Sequence, residues 1–230
     1  MKKLAITLLL AAGTISLFGC HARSQYTEQP LTPMAQSYQG VLPCADCSGM
    51  DTSLFLEKDG TFILKQIYRG SRDGDQAMAE YGVWQRTADK LVLTSSDGDK
   101  RYFHPRGNDM ELLDATGAPI ESSFNYVLKA TDAELPTTPM AFKGMYIYEP
   151  DAGKLRSGSL QDCATGKKFS VAYSATLEKG YQRAAGGPGK PVYVEVRAHF
   201  SVSPSVSESV VVKTLVADSA PKFDANKNCR

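Results

Sequence analysis

The chain has 230 residues, 42% of them hydrophobic, with 26 Lys and Arg against 25 Asp and Glu, for a formal net charge of +1. That balance supplies no basic field to select nucleic acid and no block of like charge to hold an acidic or basic partner.

Lys2 and Lys3 precede a mostly apolar run over residues 4–18, the charged start and apolar body of an export signal. The run is too short and wrongly flanked to be a stable membrane span, so residues 1–19 are read as removed. Losing Lys2 and Lys3 takes the basic count from 26 to 24 against 25 acidic residues, so the expected mature charge is near zero. The run ends Leu17-Phe18-Gly19-Cys20, which resembles a bacterial lipobox, although Phe18 is bulkier than usual there. In a lipobox the cysteine takes diacylglycerol on its sulfur and an acyl chain on the freed amine. At about 0.8 kcal/mol per buried methylene, two or three chains hold lastingly. His21 stands where aspartate is the usual signal for inner-membrane retention, so the expected place is the outer membrane, facing the periplasm.

Residues 20–37 are polar with two prolines and no apolar period, which predicts a flexible lipidated tether spanning roughly 20 to 25 Å as a coil. Over residues 38–130, short β-prone runs alternate with turn signals. Runs at 53–57 and 61–68 flank Asp59-Gly60, those at 90–94 and 101–104 flank Asp97-Gly98, and others fall at 81–84, 110–113 and 125–129. Asp-Gly between such runs is a strong hairpin signal because both residues accept positive φ. The pattern predicts a meander of six or seven strands, curled into a small barrel or half-barrel to remove its edges. Phe62, Tyr81, Trp84 and Phe124 are its expected large core residues.

Pro136-Thr137-Thr138-Pro139 interrupts the pattern, and residues 131–141 read as a linker. Residues 142–230 then offer strands at 142–148, 167–172, 192–202 and 209–215. Between them, residues 174–183 read as one short helix capped by Ser174 and ended by Gly186-Gly187-Pro188-Gly189. Strands with one helix fit a five-stranded OB-like barrel, and the lack of a basic, aromatic-studded face argues against nucleic acid as its ligand. The predicted class is therefore all-β with a minor helix, in two small domains.

Apart from Cys20, the chain carries Cys44, Cys47, Cys163 and Cys229, an even number in an oxidising space, where paired disulfides are the default. Cys44 and Cys47, two residues apart after Pro43, have three outlets: a disulfide, thiol exchange with a partner, or a soft metal such as zinc or Cu(I). Catalytic exchange is disfavoured, because β-prone sequence rather than a helix N-terminus follows them. A reduced pair offers only two thiolates to copper, with Met34, Met50 and His104 available in principle. His21, His104 and His199 are the only imidazoles and lie in tether or β-prone sequence without a nucleophile elbow or metal spacing, so no enzyme is expected.

Several longer phrases together resemble the NlpE family, copper-resistance and envelope-stress lipoproteins of enteric bacteria. Besides the lipobox at Cys20, they are Gly40-Val41-Leu42-Pro43-Cys44-Ala45-Asp46-Cys47, Thr52-Ser53-Leu54-Phe55-Leu56-Glu57-Lys58-Asp59-Gly60-Thr61, Thr87-Ala88-Asp89-Lys90-Leu91-Val92-Leu93-Thr94, Pro119-Ile120-Glu121-Ser122 before Phe124-Asn125-Tyr126, and Asp162-Cys163-Ala164-Thr165-Gly166-Lys167. Residues 154–160 and 202–208 look least family-like and are expected to be loops of altered length.

The resemblance implies a lipocalin-like N-terminal barrel followed by a C-terminal OB-fold, with Cys44 paired to Cys47 and Cys163 to Cys229. It further implies an outer-membrane lipoprotein that senses surface contact, lipoprotein mistrafficking or copper stress and activates the Cpx two-component system. Its partners would be the periplasmic domain of the inner-membrane Cpx sensor kinase, the outer-membrane lipid, and the sorting and disulfide-forming machineries. The alternative is a periplasmic copper-binding or copper-delivery protein using Cys44 and Cys47. Closing a loop of some 65 residues between Cys163 and Cys229 would restrict the unfolded chain by about 4 kcal/mol.

Overall fold

The computed structural model describes residues 36–149, 157–185, 187–204 and 211–229. The expected signal, lipidation site and most of the tether, with Cys20 and Met34, lie outside these residues. The first eight strands are β1 Gln36–Leu42, β2 Gly49–Leu56, β3 Thr61–Ser71, β4 Gly74–Arg86, β5 Leu91–Ser95, β6 Lys100–Arg106, β7 Asp109–Leu112 and β8 Val127–Thr131. Each pairs antiparallel with its neighbour, and β1 with β8, into a closed barrel. Closure leaves no unpaired edge. β1 begins inside what reads as tether, because its small and polar residues carry little β signal and are recruited by β2 and β8.

Alternation decides which residues fill the barrel. Tyr38, Leu42, Leu54, Leu56, Phe62, Leu64, Leu91, Leu93, Phe103, Met110 and Leu128 form one buried cluster inside it. Gly60 and Gly98 turn the β3 and β6 hairpins with φ of 85° and 95°. In β4, a Cβ at Gly82 would fall 2.1 Å from the Thr94 carbonyl oxygen, so glycine lets β5 approach there. Trp84 lies at the margin of this core, its indole N–H donating to the Glu57 carbonyl at 3.0 Å. Phe124 departs from expectation: it is 68% exposed on the connection between β7 and β8. That connection has no strand period to turn a ring inward, so an aromatic there is not forced into the core.

The remaining elements are β9 Met140–Glu149, β10 Ser157–Asp162, β11 Lys168–Val171, helix α1 Ala175–Ala184, β12 Val192–Pro204, β13 Val211–Ala217 and β14 Lys222–Asp224. Their sheet runs β13-β11-β10-β9-β12-β14, and an additional β12–β13 pairing joins five of the strands into a ring with β14 appended to β12. β10 occupies part of a stretch expected to be loop, because its Gly-Ser-rich sequence has little propensity and is held by pairing to β9 and β11. Helix α1 follows its Ser174 cap and buries Leu177 and Tyr181. Among the described residues the fold is thus all-β with one short helix, a barrel followed by a smaller barrel.

Residues 132–139, between β8 and β9, have no regular structure but are packed down: Pro136 is buried, and Ala133 and Leu135 lie against a core. The second buried cluster does not stop at that connection. It runs from Phe142, Phe169, Val194 and Phe200 to Phe55, Ile63 and Tyr81 of the first barrel. Leu31–Arg230 accordingly forms one compact unit.

Candidate functional site

Cys44 and Cys47 sit on the six-residue connection between β1 and β2, after Pro43, and their sulfurs are bonded. Strand β2 follows at Gly49, so no helix N-terminus faces this pair and nothing there stabilises a thiolate by a dipole. The connection is stitched to β3 by the Ser48 N–H and hydroxyl, both donating to the Arg69 carbonyl at 2.9 and 3.0 Å. Arg69 in turn pairs with Asp51 and Asp75, and the Gly70 N–H, with the Arg69 guanidinium second to it, holds the Asp75 carboxyl below its ordinary range.

The soft-metal ligands named from the sequence are not gathered around these sulfurs. Met50 packs against the barrel core, and His104 Nδ1 lies 2.8 Å from the Asp89 carbonyl oxygen. Among the described residues no group of three or more His, Cys, Asp or Glu side chains could hold a metal ion. His199 of β12 pairs with Asp218, the residue after β13, through Nδ1 at 2.9 Å.

Cys163 is bonded to Cys229, 66 residues away. Cys163 follows β10 directly, at a turn built on Asp162. Only 1% exposed, that carboxylate accepts from the Thr165 N–H at 2.9 Å and the Thr165 hydroxyl at 2.7 Å. Burial is the largest influence on Asp162 and raises its pKa against those hydrogen bonds. Since the Thr165 proton goes to Asp162, the Tyr81 hydroxyl 3.2 Å away donates to Thr165 Oγ1. A residue of the first barrel therefore closes the turn that carries the second disulfide.

Around that contact the two barrels meet in a seam. Phe55, Ile63 and Tyr81 face one another in register across β2, β3 and β4, on the outer side of the first barrel. Tyr81 is received by the rings of Phe142, Phe169 and Phe200, with centroids 5.3, 5.6 and 5.7 Å away. Burial raises the Tyr81 pKa well above the ordinary phenol value. Three lysines of the second barrel border the seam. Lys213 Nζ lies 3.7 Å from Glu57 and 4.1 Å above the Phe200 ring, Lys167 Nζ donates to the Asp59 carbonyl at 2.6 Å, and Lys143 Nζ lies 3.4 Å from Asp97.

Sequence reasoning placed Tyr81 in the core of its own barrel and missed the seam. The signal was nevertheless present: Leu54-Phe55-Leu56 and Phe62-Ile63-Leu64 are continuous apolar runs rather than alternating ones, the mark of strands covered on both faces. Glu57 and Lys213 carried no such mark.

Comparison with known proteins matches residues 38–123 to the NlpE N-terminal domain and residues 136–230 to the NlpE C-terminal OB domain. The lipoprotein NlpE of Escherichia coli (strain K12) is 46% identical over 235 residues, covering 100% of this chain and 98% of that protein. A 17 kDa lipoprotein of Treponema pallidum (strain Nichols) is 28% identical over 106 residues, 41% of this chain and 68% of that protein. Among solved structures, the crystal structure of the Cpx pathway activator NlpE from Escherichia coli is 48% identical, covers 85% of this chain and 98% of its own, and gives a TM-score of 0.39.

Proposed function

This chain belongs to the NlpE family of lipoproteins rather than to a family of enzymes, and from that premise we propose that it is an outer-membrane lipoprotein that activates the Cpx two-component system by protein contact. In this reading residues 1–19 are removed, Cys20 carries diacylglycerol and an N-acyl chain, and residues 20–37 let the folded body reach the periplasmic domain of the sensor kinase. The stimuli are surface contact, lipoprotein mistrafficking and copper stress. The observation that carries the reading is 46% identity over the whole chain to the lipoprotein NlpE of Escherichia coli, whose crystal structure is described as that of a Cpx pathway activator. The filled barrel supports it as well, since packed side chains occupy its interior and leave its outer surface to meet a partner.

Copper enters this reading as a stimulus. Direct ligation at Cys44 and Cys47 would first require their bond to be reduced, and titrating reduced protein with Cu(I), with and without alkylation of both thiols, measures it. The function itself is tested by expressing the chain in cells that carry a Cpx-responsive reporter and lack their own family member. Reporter output should rise with expression, and a Cys20→Ala variant should leave the outer-membrane fraction. A flat reporter would overturn the proposal.

A further inference from the structure

The row Phe55, Ile63 and Tyr81, with Ala79 beside it, is an apolar face on the outside of a closed barrel whose own core is complete without it. A soluble barrel has no need of such a face unless something covers it. Here the second barrel does, and its chemistry is a template for what fits: aromatic rings at the centre, lysines at the edge. The face supplies the complementary rim, with the Glu57 and Asp97 carboxylates and the Asp59 carbonyl each meeting a lysine.

The cover is also built to come off. Among the described residues Lys213 Nζ is buried at the seam without a hydrogen bond, and the Glu57 carboxylate lies 3.7 Å away, beyond hydrogen-bonding distance. An ammonium held by the Phe200 ring face at 4.1 Å and a carboxylate at 3.7 Å is compensated less fully than in a hydrogen-bonded ion pair, so part of its desolvation cost is relieved on opening. Lys143–Asp97, the other lysine–carboxylate pair named at the seam, is exposed and adds little.

We propose that this face is a covered docking surface for a partner protein presenting an apolar or aromatic centre with lysine or arginine at its edge, and that the second barrel is its lid. The proposal rests on the signalling reading above and specifies which surface of the first barrel the partner meets. The hinge of the lid is residues 132–139, and its catch is the Tyr81 hydroxyl on the Cys163 turn. Opening exposes the face by the same step that frees Tyr81 from Thr165.

Two charge reversals test both the lid and the partner chemistry on the full chain. Lys213→Glu and Glu57→Lys each set like charges against one another at the seam, and both should open it, read as faster amide exchange along β2, β3 and β4. Only Lys213→Glu keeps the acidic rim. It should therefore bind the periplasmic domain of the Cpx sensor about tenfold more tightly than the wild type, whereas Glu57→Lys should gain nothing. The double variant Glu57→Lys with Lys213→Glu should close again and return binding to the wild-type level. Equal gains for both single variants, or an opened Lys213→Glu chain with no gain, would overturn the proposal, as would single variants that leave exchange unchanged. A wild-type chain that still drives the reporter in such a case leaves the signalling reading standing. A chain that drives no reporter in any form removes both.

Discussion

Replacing Cys163 and Cys229 together by serine should cost far more stability than the same change at Cys44 and Cys47. The two bonds close loops with sequence separations of 66 and 3. In the chain-entropy relation the longer loop restricts the unfolded state by about 4.3 kcal/mol and the shorter by about 1.6 kcal/mol. How that difference appears in a melt depends on how much of the chain unfolds together. If the shared aromatic cluster makes both barrels one cooperative body, about 2–4 °C per kcal/mol applies, and the Cys163/Cys229 double variant should melt about 9–17 °C lower in a single transition. If the barrels unfold separately, the steeper dependence of a small domain gives about 17–35 °C, and two transitions appear. Scanning calorimetry of both double variants and the wild type measures this. Equal shifts for the two pairs would refute the loop argument. Two separated transitions in the wild type would refute the shared core.

Tyr81→Phe keeps the ring among Phe142, Phe169 and Phe200 and removes only the hydrogen bond to Thr165, so urea denaturation should show a loss of about 1 kcal/mol. Phe124→Ser should change stability by no more than about 0.5 kcal/mol in the same assay, because the ring is already in solvent. For Asp162, the folded pKa is raised by burial, so the fold binds its proton more tightly than the unfolded chain does. Its contribution is fully present below the unfolded carboxylate value and is lost as pH climbs through the raised folded value. Asp162→Asn should therefore flatten that decline. A stability-versus-pH profile parallel to the wild type across the acidic range would show that burial of this carboxylate has no such effect.

Local chemistry was enough to reach the two-part β architecture. Asp59-Gly60 and Asp97-Gly98 turn where a positive φ is needed, and Ser174 starts the single helix. What escaped were elements defined by partners rather than by their own residues. β1 and β10 are weak in propensity and become strands because both of their edges are paired. β14, only three residues long, exists through its register with β12. Tyr81 illustrates the same limit at the candidate site. Its hydrophobicity predicted burial correctly, but the side of the sheet, and so the domain it packs into, is fixed by a register that single-sequence reading does not supply. The Lys213–Glu57 contact spans 156 positions and follows from nothing local.

The short strand β14 bears on how the protein keeps from associating with itself. The first barrel has no open rim, and the described part of the second sheet ends in three residues, Lys222-Phe223-Asp224, whose charged side chains discourage a further strand from adding on. That rim is tethered by Cys229 five residues later. Severing the tether would free β14 to peel away and would bare β12 at Tyr193, Val194 and Glu195, a ready template for another strand. Reduction of that bond would then expose the protein to strand-to-strand association as well as to lost stability.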